Sequence, residues 1–196
     1  LHFQKQSVYA NITKHMDIVL HSTKSLMQSY KELFPDVKHI WFPNGYDHRY
    51  LKNLNIEKDK KIVFVGNVCN RSNLLFYLKS LIQLECYNVT GEQMIHTINR
   101  SKMNFNKSVS VDVNYRNFET IGCGTCLITN YLEELEELGF KDGENCYMYK
   151  NKDQIEEKVN LALNNNNWKK IGKNGELFAK KHTYVERVKK LIENLV

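Results

Sequence analysis

Between residues 61 and 149, five short runs of apolar or β-branched side chains recur: Lys61–Val65, Cys86–Val89, Met103–Asn106, Cys126–Thr129 and Cys146–Tyr149. Each is bounded by Gly, Asn or Ser, as strands commonly are. The stretches between them carry helical spacing. Leu74, Leu75, Leu78, Leu81 and Ile82 fall on one face of a helix, and Met94, Ile95 and Ile98 on one face of another. Thr90, with Gln93 three residues on, reads as a reciprocal cap at the start of the second of these. Strands joined by helices of this length pair in parallel through right-handed crossovers. The expectation is an α/β fold, a parallel sheet flanked by helices, with ligands held in the crevice at the C-terminal strand ends.

The flanks read differently. After residue 150 only helical spacing remains: Ile155, Val159, Ala162 and Leu163 mark one helix, and Asn164–Asn167 ends it, because asparagine competes with the helical backbone. A second helix runs from Trp168 to about Lys181. Thr183 with Glu186 caps a third, whose apolar face is Tyr184, Val185, Val188, Leu191, Ile192 and Leu195. Upstream, Asp17–Leu20 and His39–Phe42 read as strands around a helix that starts near Ser22 or Thr23. That helix carries Leu26, Met27, Tyr30, Leu33 and Phe34 on one face and stops before Pro35. Strand–helix–strand is too little for an independent core, so the first fifty or so residues must pack on something else. Residues 51–60 are polar and linker-like.

A chain of 196 residues buries a core without disulfides or metal. No stretch approaches the roughly 18 apolar residues of a membrane helix, and the N-terminal stretch lacks the pattern of a secretory signal. Leu1 in place of Met predicts a processed or truncated start. The net charge of +6 favours an anionic ligand, a polyanion or an acidic surface without choosing among them. Five cysteines, an odd number without an export signal, predict free thiols in a reducing, cytoplasmic setting. Cys123-Gly-Thr-Cys126 has redox spacing, but it precedes a strand where a reactive pair would start a helix. The expectation is small buried residues at a turn. No histidine cluster has metal-ligand spacing, and His21, His39 and His48 read as structural.

Gly66-Asn67 follows the first strand of the alternating region, with Arg71 in the loop before the next helix. A glycine there lets a ligand approach the backbone, and a guanidinium beside a helix N-terminus suits a phosphate. Neither the dinucleotide nor the P-loop glycine pattern is present. Arg116 and Glu119 stand three apart on a helix expected at Asn114–Ile121. They form either a surface ion pair or a site in which the carboxylate takes both ribose hydroxyls while an arginine faces phosphates.

The stretch Asn104-Phe-Asn-Lys-Ser-Val-Ser-Val-Asp-Val-Asn-Tyr-Arg-Asn-Phe-Glu119, continuing Thr-Ile-Gly-Cys-Gly-Thr-Cys-Leu-Ile-Thr-Asn130, resembles the donor-site signature of glycosyltransferases related to the spore maturation protein CgeB. In order along the chain, five further pieces are similar to that family: Pro43-Asn-Gly-Tyr-Asp47, Phe64-Val-Gly-Asn67 with Arg71, the acidic Tyr131–Phe140, Asp142-Gly-Glu144, and His182-Thr-Tyr184 with Arg187. The resemblance implies the GT-B architecture of two facing Rossmann-like domains. Residues 1–52 would be the last strand–helix–strand of an acceptor-side domain, 53–60 a linker, 61–182 the nucleotide-sugar-binding domain, and 183–196 a helix crossing back. It implies donor contacts from Gly66, Asn67, Arg71, Asn114, Arg116 and Glu119, with Glu119 on the ribose and Arg71 or Arg116 on the diphosphate. It implies no cofactor and no metal, a nucleotide-sugar substrate, an acceptor among polysaccharide, protein and modified DNA, and the remainder of the N-terminal domain or a partner chain. Val111, beside Asp112, stands where many retaining relatives have a second glutamate. That departure leaves a noncatalytic nucleotide- or sugar-binding module as the alternative.

Overall fold

The computed structural model describes residues 9–195. Its centre is a five-stranded, all-parallel sheet: β3 (Lys60–Val65), β4 (Glu85–Tyr87), β5 (Ser101–Phe105), β6 (Cys126–Asn130) and β7 (Tyr147–Tyr149), in the order β4-β3-β5-β6-β7. Helices α2 (Ser72–Ile82), α3 (Gly91–Asn99), α4 (Tyr115–Gly122), α5 (Glu133–Glu137), α6 (Gln154–Leu163) and α7 (Asn167–Ala179) alternate with the strands or follow the last one.

Two apolar layers hold this domain together, one on each face of the sheet. Ile62 and Phe64 of β3 pack with Leu75, Leu78 and Ile82 of α2, Ile155 and Val159 of α6, and Ile171 of α7. Val63 and Val65, pointing the other way, pack with Ile98 of α3 and with Phe118 and Ile121 of α4. Strands covered on both sides read as unbroken apolar runs, which is why Lys61–Val65 and Cys126–Thr129 stand out in the sequence. The expected parallel sheet with helices on both faces is present, with strand ends displaced by one or two residues.

The N-terminal segment forms its own two-stranded parallel sheet, β1 (Ile18–His21) with β2 (Lys38–Trp41), joined by α1 (Lys24–Leu33). The last helix, α8 (Tyr184–Glu193), ends at Asn194, whose carbonyl accepts from Lys38 Nζ of this unit at 2.8 Å.

Two local expectations need correction. Thr90 is the N-cap of α3, but its side chain makes no capping hydrogen bond, so the reciprocal cap does not form. Residues 51–60 are more than a spacer: Leu51 is buried, Leu54 N donates to Asn99 Oδ1 at 2.8 Å, and Lys58 Nζ donates to Asn99 O, Ser101 O and Thr125 Oγ1. The apolar face of α8 is largely uncovered, with Tyr184, Val185, Val188 and Ile192 exposed, whereas on α1 Leu26 and Leu33 are exposed but Tyr30 is buried. The cap at Thr183 does form, its hydroxyl accepting from Glu186 N at 3.2 Å.

Candidate functional site

In the order β4-β3-β5-β6-β7 the chain leaves β3 toward one edge of the sheet and resumes at β5 toward the other. The two connections part at the C-terminal ends of β3 and β5, and the crevice they leave is where open α/β sheets take ligands. Gly66 closes β3 with φ +149°, a conformation side chains disfavour, and its N–H donates to Tyr87 O at 2.9 Å. Asn67 Oδ1 accepts from Cys69 N at 2.9 Å and turns the chain into α2.

Arg71 spans the parting of the two connections. Its Nη1 donates to Asn67 O at 2.8 Å and its Nε to Lys107 O at 2.6 Å, so one guanidinium joins the loop after β3 to the loop after β5. The ring of Phe64 supports it from below at 5.6 Å. Burial lowers its pKa, opposed by the charge of Asp112. A hollow of about 380 Å³ opens beside it, lined by Arg71, Ser72, Asn73, Lys107, Ser108 and Val109.

Loop 106–114 is fixed from beneath by buried amides and hydroxyls. Asn106 Nδ2 donates to Asn117 Oδ1 (2.9 Å), Asn114 Oδ1 (3.1 Å) and Thr129 Oγ1 (3.3 Å). Asn114 Nδ2 donates to Ser108 Oγ at 3.3 Å, Asn130 Oδ1 accepts from Ser108 N at 2.8 Å, and Tyr149 donates its hydroxyl to Asn106 O at 3.0 Å. Asn106, Asn117 and Thr129 are buried, so each bond replaces water that the site could not otherwise reach. Of this network only Asn114 was singled out from sequence. Asn106, Asn117 and Thr129 were missed, because a polar residue inside an apolar run gives no sign of which partner will satisfy it.

Arg116 and Glu119 sit together on α4, Nη1 2.8 Å from Oε2, with their side chains only 16% and 17% exposed. This is a desolvated pair, unlike the surface ion pair that its spacing also allows. Burial raises the Glu119 pKa against the pull of Arg116, and burial lowers that of Arg116 against the pull of Glu119. Among the described residues no hydrogen bond or ion pair joins this couple directly to Gly66, Asn67 or Arg71. Asn114, the N-cap of α4, is bonded to Asn106, whose neighbour Lys107 accepts from Arg71. The strand ends thus carry Arg71 and Lys107 beside a hollow, and α4 carries a carboxylate and an arginine paired with each other.

The other motifs have structural partners. His182, Thr183 and Arg187 clasp the segment Asn44–Tyr46: Tyr46 N donates to His182 O (3.3 Å), Tyr184 N to Tyr46 O (3.1 Å), and Arg187 Nη2 to Asn44 O (3.3 Å) and His182 Nδ1 (2.7 Å). His182 lies among Phe118, Phe140 and Phe178, and burial, with Arg187 next, drives its pKa down to about 3. Cys123 and Cys126 are buried free thiols, and burial pushes Cys123 up to about 12 and Cys126 higher still, the reverse of redox activation. His21 Nε2 lies 2.9 Å from His39 Nδ1 inside the β1–β2 unit, whereas His48 is exposed at the linker. Among the described residues no three His, Cys, Asp or Glu side chains converge on one point, and no helix is long and apolar enough to cross a membrane.

The glycosyl transferase-like family matches residues 48–193. No curated protein matches the chain. Among solved structures, sucrose-phosphate synthase from Thermosynechococcus elongatus aligns at TM-score 0.70 and 13% identity, over 98% of this chain and 61% of that one. The pneumococcal O-GlcNAc transferase GtfA, in complex with UDP and GlcNAc, aligns at 0.68 and 14%, over 97% and 47%. Anabaena Alr3699/HepE, in complex with UDP-glucose, aligns at 0.73 and 12%, over 98% and 67%. The chain thus spans about half to two thirds of the length of these proteins. At such identities the likeness shows a shared fold, the α/β arrangement of GT-B glycosyltransferases.

Proposed function

The chain belongs to the glycosyl transferase-like family, and we propose that it carries the nucleotide-sugar site of a CgeB-like, cytoplasmic glycosyltransferase, centred on the crevice between β3 and β5. The observation that carries this reading is Arg71, held across the parting of the two connections with a hollow of about 380 Å³ at its side. Gly66 and Asn67 bring backbone close to a diphosphate there, and Arg71 with Lys107 supplies positive charge for the leaving group, with no metal required. Asn114 holds the loop that faces the nucleoside. Glu119 exchanges its contact with Arg116 for the ribose hydroxyls, and the released guanidinium turns to the phosphates. Two aligned proteins of this fold, GtfA and HepE, were crystallised with UDP, UDP-glucose, or UDP and a sugar, which makes a uridine nucleotide the first donor to test.

Residues 1–52 are, in this proposal, the end of an acceptor-side domain, 53–60 a linker, 61–182 the donor domain and 183–196 the helix that crosses back. The uncovered apolar side chains of β1 and α8 support it, since strands added beside them would bury that surface. The acceptor is a polysaccharide, a protein or modified DNA. Val111, 63% exposed where a second carboxylate would stand, favours the alternative of a noncatalytic nucleotide- or sugar-binding module.

Calorimetric titration with UDP, GDP, TDP and ADP tests the donor site. The expected result is micromolar binding of one nucleotide, UDP first, abolished in Glu119→Ala. Equal binding by wild type and variant removes Glu119 from the site. No binding of any nucleotide removes the donor-site assignment for this chain.

A further inference from the structure

Helix α1 starts without a cap of its own. Thr23 occupies the N-cap with extended backbone, its hydroxyl makes no capping bond, and no acidic residue stands in the first turn. The missing acceptor comes from far along the chain. Glu134, in α5 just after β6, accepts the Lys24 N–H on Oε1 at 2.8 Å. One turn on, Glu137 pairs with Lys24 Nζ, whose charge also lies 5.1 Å from the Trp41 ring. Glu134 is 9% exposed, and its second oxygen, Oε2, has no hydrogen-bond partner among the described residues. A carboxylate buried to that degree costs free energy unless its contacts repay it, and its contacts are on the opposite unit.

The two ends of this contact are informative. Helix α1 follows the C-terminal end of β1 and α5 follows the C-terminal end of β6, so the bond crosses from one sheet's strand ends to the other's. The units are otherwise joined at the clasp, where Asn44–Tyr46 is held by Val113, Thr183, Tyr184 and Arg187. A hydrogen-bonded clasp and a distant polar contact therefore hold the two units at separate places.

We propose that Glu134 is a positioning residue that latches the five-stranded domain to the β1–α1–β2 unit by capping α1 across the gap between them. An ordinary cap would lie within α1 itself, so only a latch couples the stability of α1 to that of α5.

Hydrogen exchange of the full chain, read separately over residues 24–33 and 132–138, tests this without any nucleotide. Its outcome is therefore independent of the donor-site assignment. In Glu134→Ala both segments are expected to exchange faster, by about 2- to 30-fold, the range for loss of a side-chain cap. Adding Thr23→Asp to that variant supplies a local cap, and it should restore 24–33 while leaving 132–138 fast. Glu134→Gln, nearly isosteric and still an acceptor, should give the same pair of changes at smaller amplitude. Faster exchange in 24–33 alone would reduce Glu134 to a cap, and unchanged exchange in both segments would remove the contact from the protein in solution. Either result overturns the latch.

Discussion

The five-stranded domain and the β1–α1–β2 unit are built from the same kind of segment, short apolar strands in parallel around a helix, yet they end in opposite states. In the former, β3 and β6 are covered on both faces by α2, α6 and α7 on one side and α3 and α4 on the other. In the latter, α1 covers one face only. His21 and His39 lie inside against Tyr30, while Ile18 and Leu20 alternate outward and stay exposed. Helix α8 repeats the lesson, since Arg187 is its single buried residue. An apolar stripe predicts that an element forms; it does not predict that the element finds a partner within the same chain. Free energy follows area removed from water, at roughly 25 cal/mol per Å², so similar side chains should weigh very differently in the two regions.

Substitutions can break or sharpen this contrast. The largest effect is expected for Phe118→Ala, which empties a fully buried site facing Phe140 and His182. Urea unfolding should show a loss of about 3–5 kcal/mol, and a loss below 1 would mean that the core of this domain is not as packed as described. Gly122→Ala comes next. A Cβ there would lie 2.5 Å from Cε2 of the Tyr46 ring, at the seam between the domain and the linker. A cost of about 1–3 kcal/mol is expected from overpacking, relieved by Tyr46→Ala in the double variant.

The clasp supplies a pH test. His182 has a folded pKa of about 3, below its ordinary value of 6.5, so the unfolded chain binds the extra proton between those values. Its contribution is complete above pH 6.5 and declines as pH falls toward 3, at a limiting slope of roughly 1.4 kcal/mol per pH unit. His182→Leu should flatten the acid arm of a stability–pH curve by up to that slope. An identical curve would show that the imidazole titrates freely and is not enclosed. Leu20→Ala and Ile192→Ala should be smallest, within about 0.5 kcal/mol of wild type, because both side chains are exposed. Losses comparable to that of Phe118→Ala would mean that these faces are covered in solution.

The sheet was legible because parallel strands buried on two faces leave unmistakable apolar runs, and the Asn164–Asn167 stop was legible because asparagine favours turns; Asn165 and Asn166 indeed adopt positive φ. Gly66, Asn67, Arg71, Asn114, Arg116 and Glu119 could be named from position and motif. The pairing of Glu119 with Arg116, and not with Arg71, could not, nor could the buried Asn106, Asn117 and Thr129 that fix the loop between them. The Thr90 cap misled for a related reason: Thr and Gln at capping spacing make a cap available, and neighbouring structure determines whether it is used.

By itself, then, the sequence determined the elements, their parallel pairing and the end of the sheet at which ligands can bind, because periodicity and turn chemistry are local. Only the tertiary structure decided that Arg71 bridges two loops, that Arg116 and Glu119 are desolvated together, and that α1 takes its cap from Glu134 on another unit. Those outcomes depend on which polar groups lose water at the same moment and on what lies within hydrogen-bond reach when they do. No spacing along the chain encodes that distance.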